Sequence, residues 1–394
     1  MRLLSDRRYR HLFAAQVMAL VGTGLTTVGL ALLASDLAGG RAGEVLGVAL
    51  AIKMIAYVVV APIAGAYATR LPRRSFLVGL DVARAAMVCL LPWVTSVWQI
   101  YPIMLFMNVC SAAFTPVYQA TLPDIFEDDE KYTRALSLSR LAYDLENIAS
   151  PMLAALLLAV LEFNVLFLMN GVGFVLSAAF IMTSGLRLPA FGRLSEGALW
   201  RIQEGIKLYF QNGALRGLFA LNFAVAFAGS MQIVNTVVYV REYLGMTGQS
   251  VALSFLAVGA GSITVTLLLP TWLRRFQQRI LMLTGGAVMG LSLLVDGAVM
   301  PGFVGLLVSW FFLGGGASLV MMPSGRLVKQ ACAPEGRPLL YAAQFALSHL
   351  AWLAAYPLAG WVGAQVGLSG TFLILSLLTL TATVIALLLW PRWT

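Results

Sequence analysis

The sequence predicts an all-α membrane protein of twelve transmembrane helices in two pseudo-repeated six-helix halves. Three observations predict it: the composition, a series of apolar runs of membrane length, and a one-sided distribution of basic residues.

Hydrophobic residues make up 60% of the 394-residue chain and charged residues only 11%, against roughly 25% charged in a soluble globular chain. Lipid is the solvent such a composition fits. The apolar residues gather into runs at 11-35, 45-68, 75-92, 99-120, 138-160, 164-185, 215-239, 249-272, 280-298, 303-324, 339-362 and 370-390. Each is near the ~20 residues a helix needs to cross about 30 Å of hydrocarbon. The first run is longer than the apolar core of a secretory signal and leads into a second span after a brief loop, so it reads as a retained helix.

The net charge of +9 would suit nucleic acid only if it formed a basic patch on a soluble face. Threading the spans alternately puts 21 of the Lys and Arg residues on one side and only Arg41 and Arg241 on the other. By the positive-inside rule the rich side is the cytoplasm, with both termini in it. The basic balance is thus read as topology in a multi-pass protein of the cell inner membrane, and no nucleic-acid partner is expected. Three cysteines, Cys89, Cys110 and Cys332, imply no disulfide framework. The two histidines, His11 and His349, are too few and too far apart for a clustered metal site, so neither metal nor cofactor is expected.

The longest stretch without a membrane-length run, 187-213, separates an N-terminal half (1-186) from a C-terminal half (214-394). Within it Leu199, Ile202, Ile206 and Tyr209 recur at helical spacing with charged residues between them, which predicts an amphipathic helix on the cytoplasmic membrane surface. The halves carry marks at a nearly constant offset: 207 residues from Pro116 to Pro323, 206 from Pro151 to Pro357, and 204 between the basic clusters at Arg70 and Arg274. A parallel six-plus-six repeat is the simplest account, and transporter folds are commonly built from repeats.

Between spans two and three runs Gly65-Ala-Tyr-Ala-Thr69-Arg70-Leu-Pro-Arg73-Arg74. A glycine near a span end permits close helix approach, and rim arginines can bond helix-end carbonyls or carboxylates. This tract resembles the loop signature of the major facilitator superfamily, where it helps latch the cytoplasmic side shut. Thr69 departs from it, since the family usually has an aspartate there. Any latch would draw its acid from elsewhere, with Asp81 and Asp144 as candidates.

Span five carries Glu146-Asn-Ile-Ala-Ser150-Pro151-Met-Leu-Ala154-Ala155. It is similar, in degenerate form, to the glycine-proline packing motif of drug/proton antiporters, with Ser150, Ala154 and Ala155 where glycines are usual. A proline with small neighbours favours a bend or a tight helix interface. The resemblance covers the whole chain, and tracts around Asp81 and Arg140 look most like the group containing macrolide-efflux and siderophore-exporter proteins. It implies the major facilitator fold and a secondary transporter rather than an enzyme.

Ionisable residues within spans are costly and mark function by default. Asp81 with Arg84, and Arg140 with Asp144, share helix faces at three- and four-residue spacing. Asp144 and Glu146 stand about 200° apart around their helix, so they serve different faces. Glu146 points into its own half, with Lys53 or Arg84 as candidate partner, while Asp144 lies on the stripe of Asn147 and Pro151 that should meet the other half. Glu146, Asp144, Asp81 and Asp36 are the proton-coupling candidates. Lys53, Arg84 and Arg140 are charge partners or anion-binding candidates, and Gly65, Arg70, Arg73 and Arg74 form the candidate gate loop. The C-terminal half offers the polar candidates Asn222, Gln232, Asn235, Gln344 and His349. The aromatic and methionine residues of the whole chain are read as lipid-facing or packing residues rather than pocket lining.

These readings converge on alternating access by a monomer that exports an amphipathic small molecule, such as a drug, toxin or siderophore, against protons. The same fold would also serve uptake of an anionic metabolite, with Lys53 and Arg84 on the anion. A membrane scaffold or sensor without flux is the alternative from another class.

Overall fold

A computed structural model describes residues 3–67, 72–126, 153–154, 156–186, 198–331 and 337–390, together with residues 131, 135, 138–139, 142, 146 and 150. Among the described residues the chain is almost entirely helical, with no strand. In lipid every backbone N–H and C=O must find a partner inside its own segment, and a helix provides that. The helices are α1 (Arg7–Ala38), α2 (Ala42–Tyr67), α3 (Arg73–Val88), α4 (Val97–Ile125), α5 (Asn164–Thr183), α6 (Ala198–Gln211), α7 (Gly213–Val237), α8 (Gly248–Arg275), α9 (Gln278–Val299), α10 (Phe303–Gln330) and α11 (Arg337–Leu389). The expected fifth span falls largely outside the described residues.

Nine stretches among the described residues are long and apolar enough to cross a membrane. Two of them, Arg7–Ala61 at 55 residues and Ala343–Leu389 at 47, each hold two crossings. The second is a pair of helices joined directly at Gly367, whose φ of 75° turns the chain with no intervening loop. That left-handed backbone suits glycine because it has no Cβ to clash.

Capping residues set several helix starts. Asp6 Oδ1 accepts hydrogen bonds from the Arg8 and Tyr9 amides at 2.8 and 3.3 Å, opening α1. Ser96 and Gln99 form a reciprocal capping box at the start of α4. Asn212 accepts from the Ala214 and Leu215 amides, opening α7. α7 ends in one π turn, Val238–Tyr243.

The chain divides into two compact units. Unit 1 comprises Met1–Leu33 and Ile55–Glu196, and unit 2 comprises Ala34–Met54 and Gly197–Thr394. In unit 1, α3 packs on α4 and α5. Tyr9, Leu12, Leu77, Phe114, Leu122 and Ile181 fill a core drawn from α1, α3, α4 and α5.

In unit 2, α7 packs on α11, α10 and α9, and α8 pairs with α10. The α8–α10 crossing depends on glycine, since a Cβ on Gly261 would collide with the Phe311 carbonyl oxygen and one on Gly314 with that of Val258. Small residues at membrane helix crossings let backbones approach for dispersion contact, the main attraction available where lipid is as apolar as the helix. The amphipathic helix α6 packs on α11 and α7, with Tyr209 fully buried.

Candidate functional site

In unit 1 the candidate side chains are charges. Asp81 and Arg84, one turn apart on α3, form an ion pair and are 0% and 5% exposed. Ser177 of α5 donates to the second Asp81 oxygen at 2.7 Å. The Arg84 guanidinium lies over the rings of Phe114 and Phe174, 4.3 and 4.5 Å from their centroids. Delocalised and weakly hydrated, a guanidinium loses less than an ammonium when it leaves water for such faces. Arg84 Nε is buried without a hydrogen-bond partner among the described residues.

Glu146 is helical and half-buried. Its Cγ lies 3.5 Å from where a Cβ on Gly24 would sit, and Ser150, one turn on, would collide with the same Cβ. Ser150 Oγ also donates to the Val21 carbonyl at 3.4 Å. This face of the fifth span is therefore seated on α1, within the same unit. Ala154 is buried as well. Arg140, Asp144, Pro151 and Ala155, with Thr69 and Arg70, lie outside the described residues.

Gly65 falls in the last turn of α2, Arg73 begins α3 and is buried, and Arg74 donates to the Met182 carbonyl at the end of α5. That contact satisfies a helix-end acceptor that has no partner within the helix.

In unit 2 the candidate polar side chains are mostly amides, with aromatic rings beside them. Among the described stretches of membrane length, the one that holds α7 is the most enclosed, 78% buried against 33–56% for the others. Its half-buried positions include Phe219, Phe223 and Phe227, four residues apart, with successive ring centroids 5.2 and 5.8 Å apart. Phe210 of α6 extends this line, 5.2 Å from Phe219. Phe223 and Phe227 also pack with Trp352 against Ala226, Ala351 and Ala355. The stripe is thus part packing and part accessible apolar wall.

Asn222 lies beside this wall and is 9% exposed. It accepts at Oδ1 from Gln344 Nε2 at 3.3 Å, and Gln344 Oε1 accepts from the Tyr209 hydroxyl. Asn235 has a different environment: its Nδ2 donates to the Ala359 carbonyl at 3.2 Å, and its Oδ1 lies 2.6 and 2.8 Å from where a Cβ on Gly43 or Gly363 would sit. Gln232 is buried one turn before Thr236, which accepts from Trp310 Nε1 at 2.9 Å. His349 is held on its own helix, with Nδ1 2.7 Å from the Phe345 carbonyl oxygen and its ring 4.0 Å from that of Phe345. Lys53 belongs to unit 2.

Asp36 pairs with Arg241 at 2.5 Å, and Ser35 donates to Glu242 at 3.3 Å. Both contacts lie in unit 2, because the end of α1 and the start of α2 belong to it.

Sequence reasoning missed three features. Asp296 is 1% exposed and accepts from Ser309 at 2.6 Å, although its position suggests a span boundary. Arg241 and Glu242 were legible only as loop charges. Tyr209 completes an apolar stripe in the sequence, and nothing there separates its hydroxyl from the stripe's greasy members. Among the described residues no three His, Cys, Asp or Glu side chains converge as metal ligands would.

The sequence profile of the Major Facilitator Superfamily matches residues 12–293 and 218–392. A macrolide efflux protein A of Streptococcus pyogenes is 24% identical over 307 residues, covering 74% of this chain and 73% of that protein. A macrolide efflux protein A of Enterococcus faecalis is 26% identical over 258 residues, covering 61% and 76%. Among solved structures, the nucleoside transporter NupG superposes with a TM-score of 0.76 at 13% identity, over 99% of this chain and 100% of that one. At that identity the likeness speaks to the fold alone.

Proposed function

The chain belongs to the major facilitator superfamily and is a multi-pass membrane transporter rather than an enzyme, and from that premise we propose that it exports an amphipathic small molecule in exchange for protons by alternating access. The observation that carries the substrate class is the half-buried line of Phe219, Phe223 and Phe227 beside the amides of Asn222 and Gln344. Binding sites for amphipathic ligands combine apolar walls with a few placed polar groups. The macrolide-efflux relatives support the same direction and class, with drugs, toxins and siderophores as candidate cargo.

Coupling requires a carboxyl whose protonation differs between the two accessible states. Desolvation raises a carboxyl's pKa and a nearby cation lowers it, so changing exposure can load a proton on one side and release it on the other. Asp81 is committed to Arg84 and Ser177. Glu146, half-buried against α1, is the first choice for the coupling group, and Asp144 for a gate between halves. Anion uptake through Arg84 is weaker, because Asp81 already neutralises that cation. On this reading the protein works as a monomer in the inner membrane, with both termini and the Arg73–Arg74 loop in the cytoplasm.

The test is flux in proteoliposomes under an imposed pH gradient, over a panel of amphipaths that includes macrolides and siderophores. Gradient-driven transport of at least one compound is expected, with Glu146→Gln abolishing the driven component while substrate binding remains. Normal concentrative transport by Glu146→Gln would remove Glu146 from coupling. Flux of every compound without response to the gradient would remove the proton.

A further inference from the structure

A carboxamide offers a donor on one side and an acceptor on the other, and its hydrogen-bond partners decide which side is which. Tyr209 is fully buried, and its hydroxyl proton needs an acceptor. Gln344 supplies Oε1, which turns Gln344 Nε2 toward Asn222, whose Oδ1 accepts at 3.3 Å. Asn222 Nδ2 is then left buried with no hydrogen-bond partner among the described residues.

Turning both amides over would leave the Asn222 oxygen free instead, but would set the Gln344 NH2 against the hydroxyl and strand the Tyr209 proton. A buried donor without an acceptor costs about 1–3 kcal/mol. The free end of this chain is therefore a donor because the linker helix α6 supplies Tyr209 at the other end. That free donor stands three residues from Phe219 and next to Phe223, about 60° and 100° around α7, at the edge of the aromatic line.

We propose that Asn222 Nδ2 is a donor subsite for an acceptor oxygen, whether carbonyl, ether or hydroxyl, on an amphipathic substrate. Tyr209, acting through Gln344, is the positioning residue that holds Asn222 in the donor sense. The proposal rests on the amphipath-efflux reading and adds a chemical requirement to it: an oxygen acceptor adjoining an apolar surface. It also makes the linker helix a determinant of selectivity, although that helix lies outside the membrane-spanning segments.

The experiment uses the full chain in detergent and measures binding of two probes. Erythromycin carries carbonyl, ether and hydroxyl oxygens, and tetraphenylphosphonium is an amphipath with no oxygen at all. The readout is the ratio of the two affinities, which cancels a general loss of folded protein. Asn222→Leu, close in shape, should lower the erythromycin preference on the order of tenfold, the value of one hydrogen bond to a buried donor. Tyr209→Phe, the milder change, should lower it about threefold and should have no further effect in the Asn222→Leu background. An unchanged ratio in Asn222→Leu overturns the subsite. Additive effects in the double variant overturn the positioning role of Tyr209. If the unaltered protein binds tetraphenylphosphonium but not erythromycin, the donor subsite fails while amphipath efflux stands; binding of neither removes both.

Discussion

Two acid–base pairs in this protein share a chemistry and differ in environment. Asp81–Arg84 in unit 1 is 0% and 5% exposed, supported by Ser177 and two aromatic faces. Asp36–Arg241 in unit 2 has side chains 40% and 31% exposed, with Ser35 and Glu242 as neighbours. Removing two charges from water costs several kcal/mol per ion, which their attraction offsets only when geometry and extra hydrogen bonds are good. An exposed pair has a small desolvation cost and a correspondingly small gain. The inner pair is therefore an all-or-nothing structure, whereas the outer pair can open and close with little change in free energy. Groups that must rearrange during transport should resemble the second kind.

The largest expected effect comes from breaking the inner pair on one side. Arg84→Met should destabilise the protein by about 3–5 kcal/mol, because Asp81 is left buried and uncompensated. The thermal midpoint of the purified protein, or its yield in the membrane, would register the loss. Asp81→Leu combined with Arg84→Met should recover most of it, since replacing both charges with apolar groups is often near neutral. A double variant as unstable as the single one would mean that the aromatic stacking, rather than charge balance, holds the cluster together.

An intermediate effect is expected at Asp6, which lies outside the spans and caps α1. Partial burial raises its carboxyl, but hydrogen bonds from the Arg8 side chain and from the Tyr9 and Arg8 amides outweigh this, and its pKa is lowered. A carboxyl lowered on folding stabilises above its unfolded pKa of about 3.9, and that contribution disappears as the pH falls through the folded value. Asp6→Ala should cost about 1 kcal/mol at neutral pH. The difference from the unaltered protein should shrink on acidification, which melting curves at descending pH would show.

The smallest effect is assigned to the outer pair. Asp36→Asn should change stability by no more than about 1 kcal/mol, and that difference should fade with added salt. A loss comparable to that of Arg84→Met, insensitive to ionic strength, would show that exposure is a poor guide to what this pair contributes.

How much of the candidate site was legible in the sequence varied with sequence distance. The three-residue spacing of Asp81 and Arg84 is enough to place them on one helix face. Phe114 and Phe174, which enclose the guanidinium, come from other helices and carry no mark that sets them apart from many apolar neighbours. The seating of Glu146 and Ser150 on α1 depends on Gly24, more than 120 residues away in sequence. Reading the aromatic residues as packing or lipid-facing groups was right for part of the α7 stripe, since Phe223 and Phe227 help to enclose three alanines. Periodicity alone could not show that the same rings remain half-exposed on the most enclosed of the described membrane-length stretches.

By itself the sequence determined the all-helical membrane class. Apolar runs of about 20 residues leave the backbone no partner but itself in lipid, and that constraint acts locally, within each segment. The tertiary structure alone decided which side chains meet: that Ala34–Met54 joins unit 2, that Asp296 is buried on Ser309, and that Tyr209 reaches Gln344 across 135 positions. Such contacts arise because burial forces each polar group to find whatever complementary partner the packing brings near. Partner choice is thus a property of the packed helices, and no local pattern in the chain encodes it.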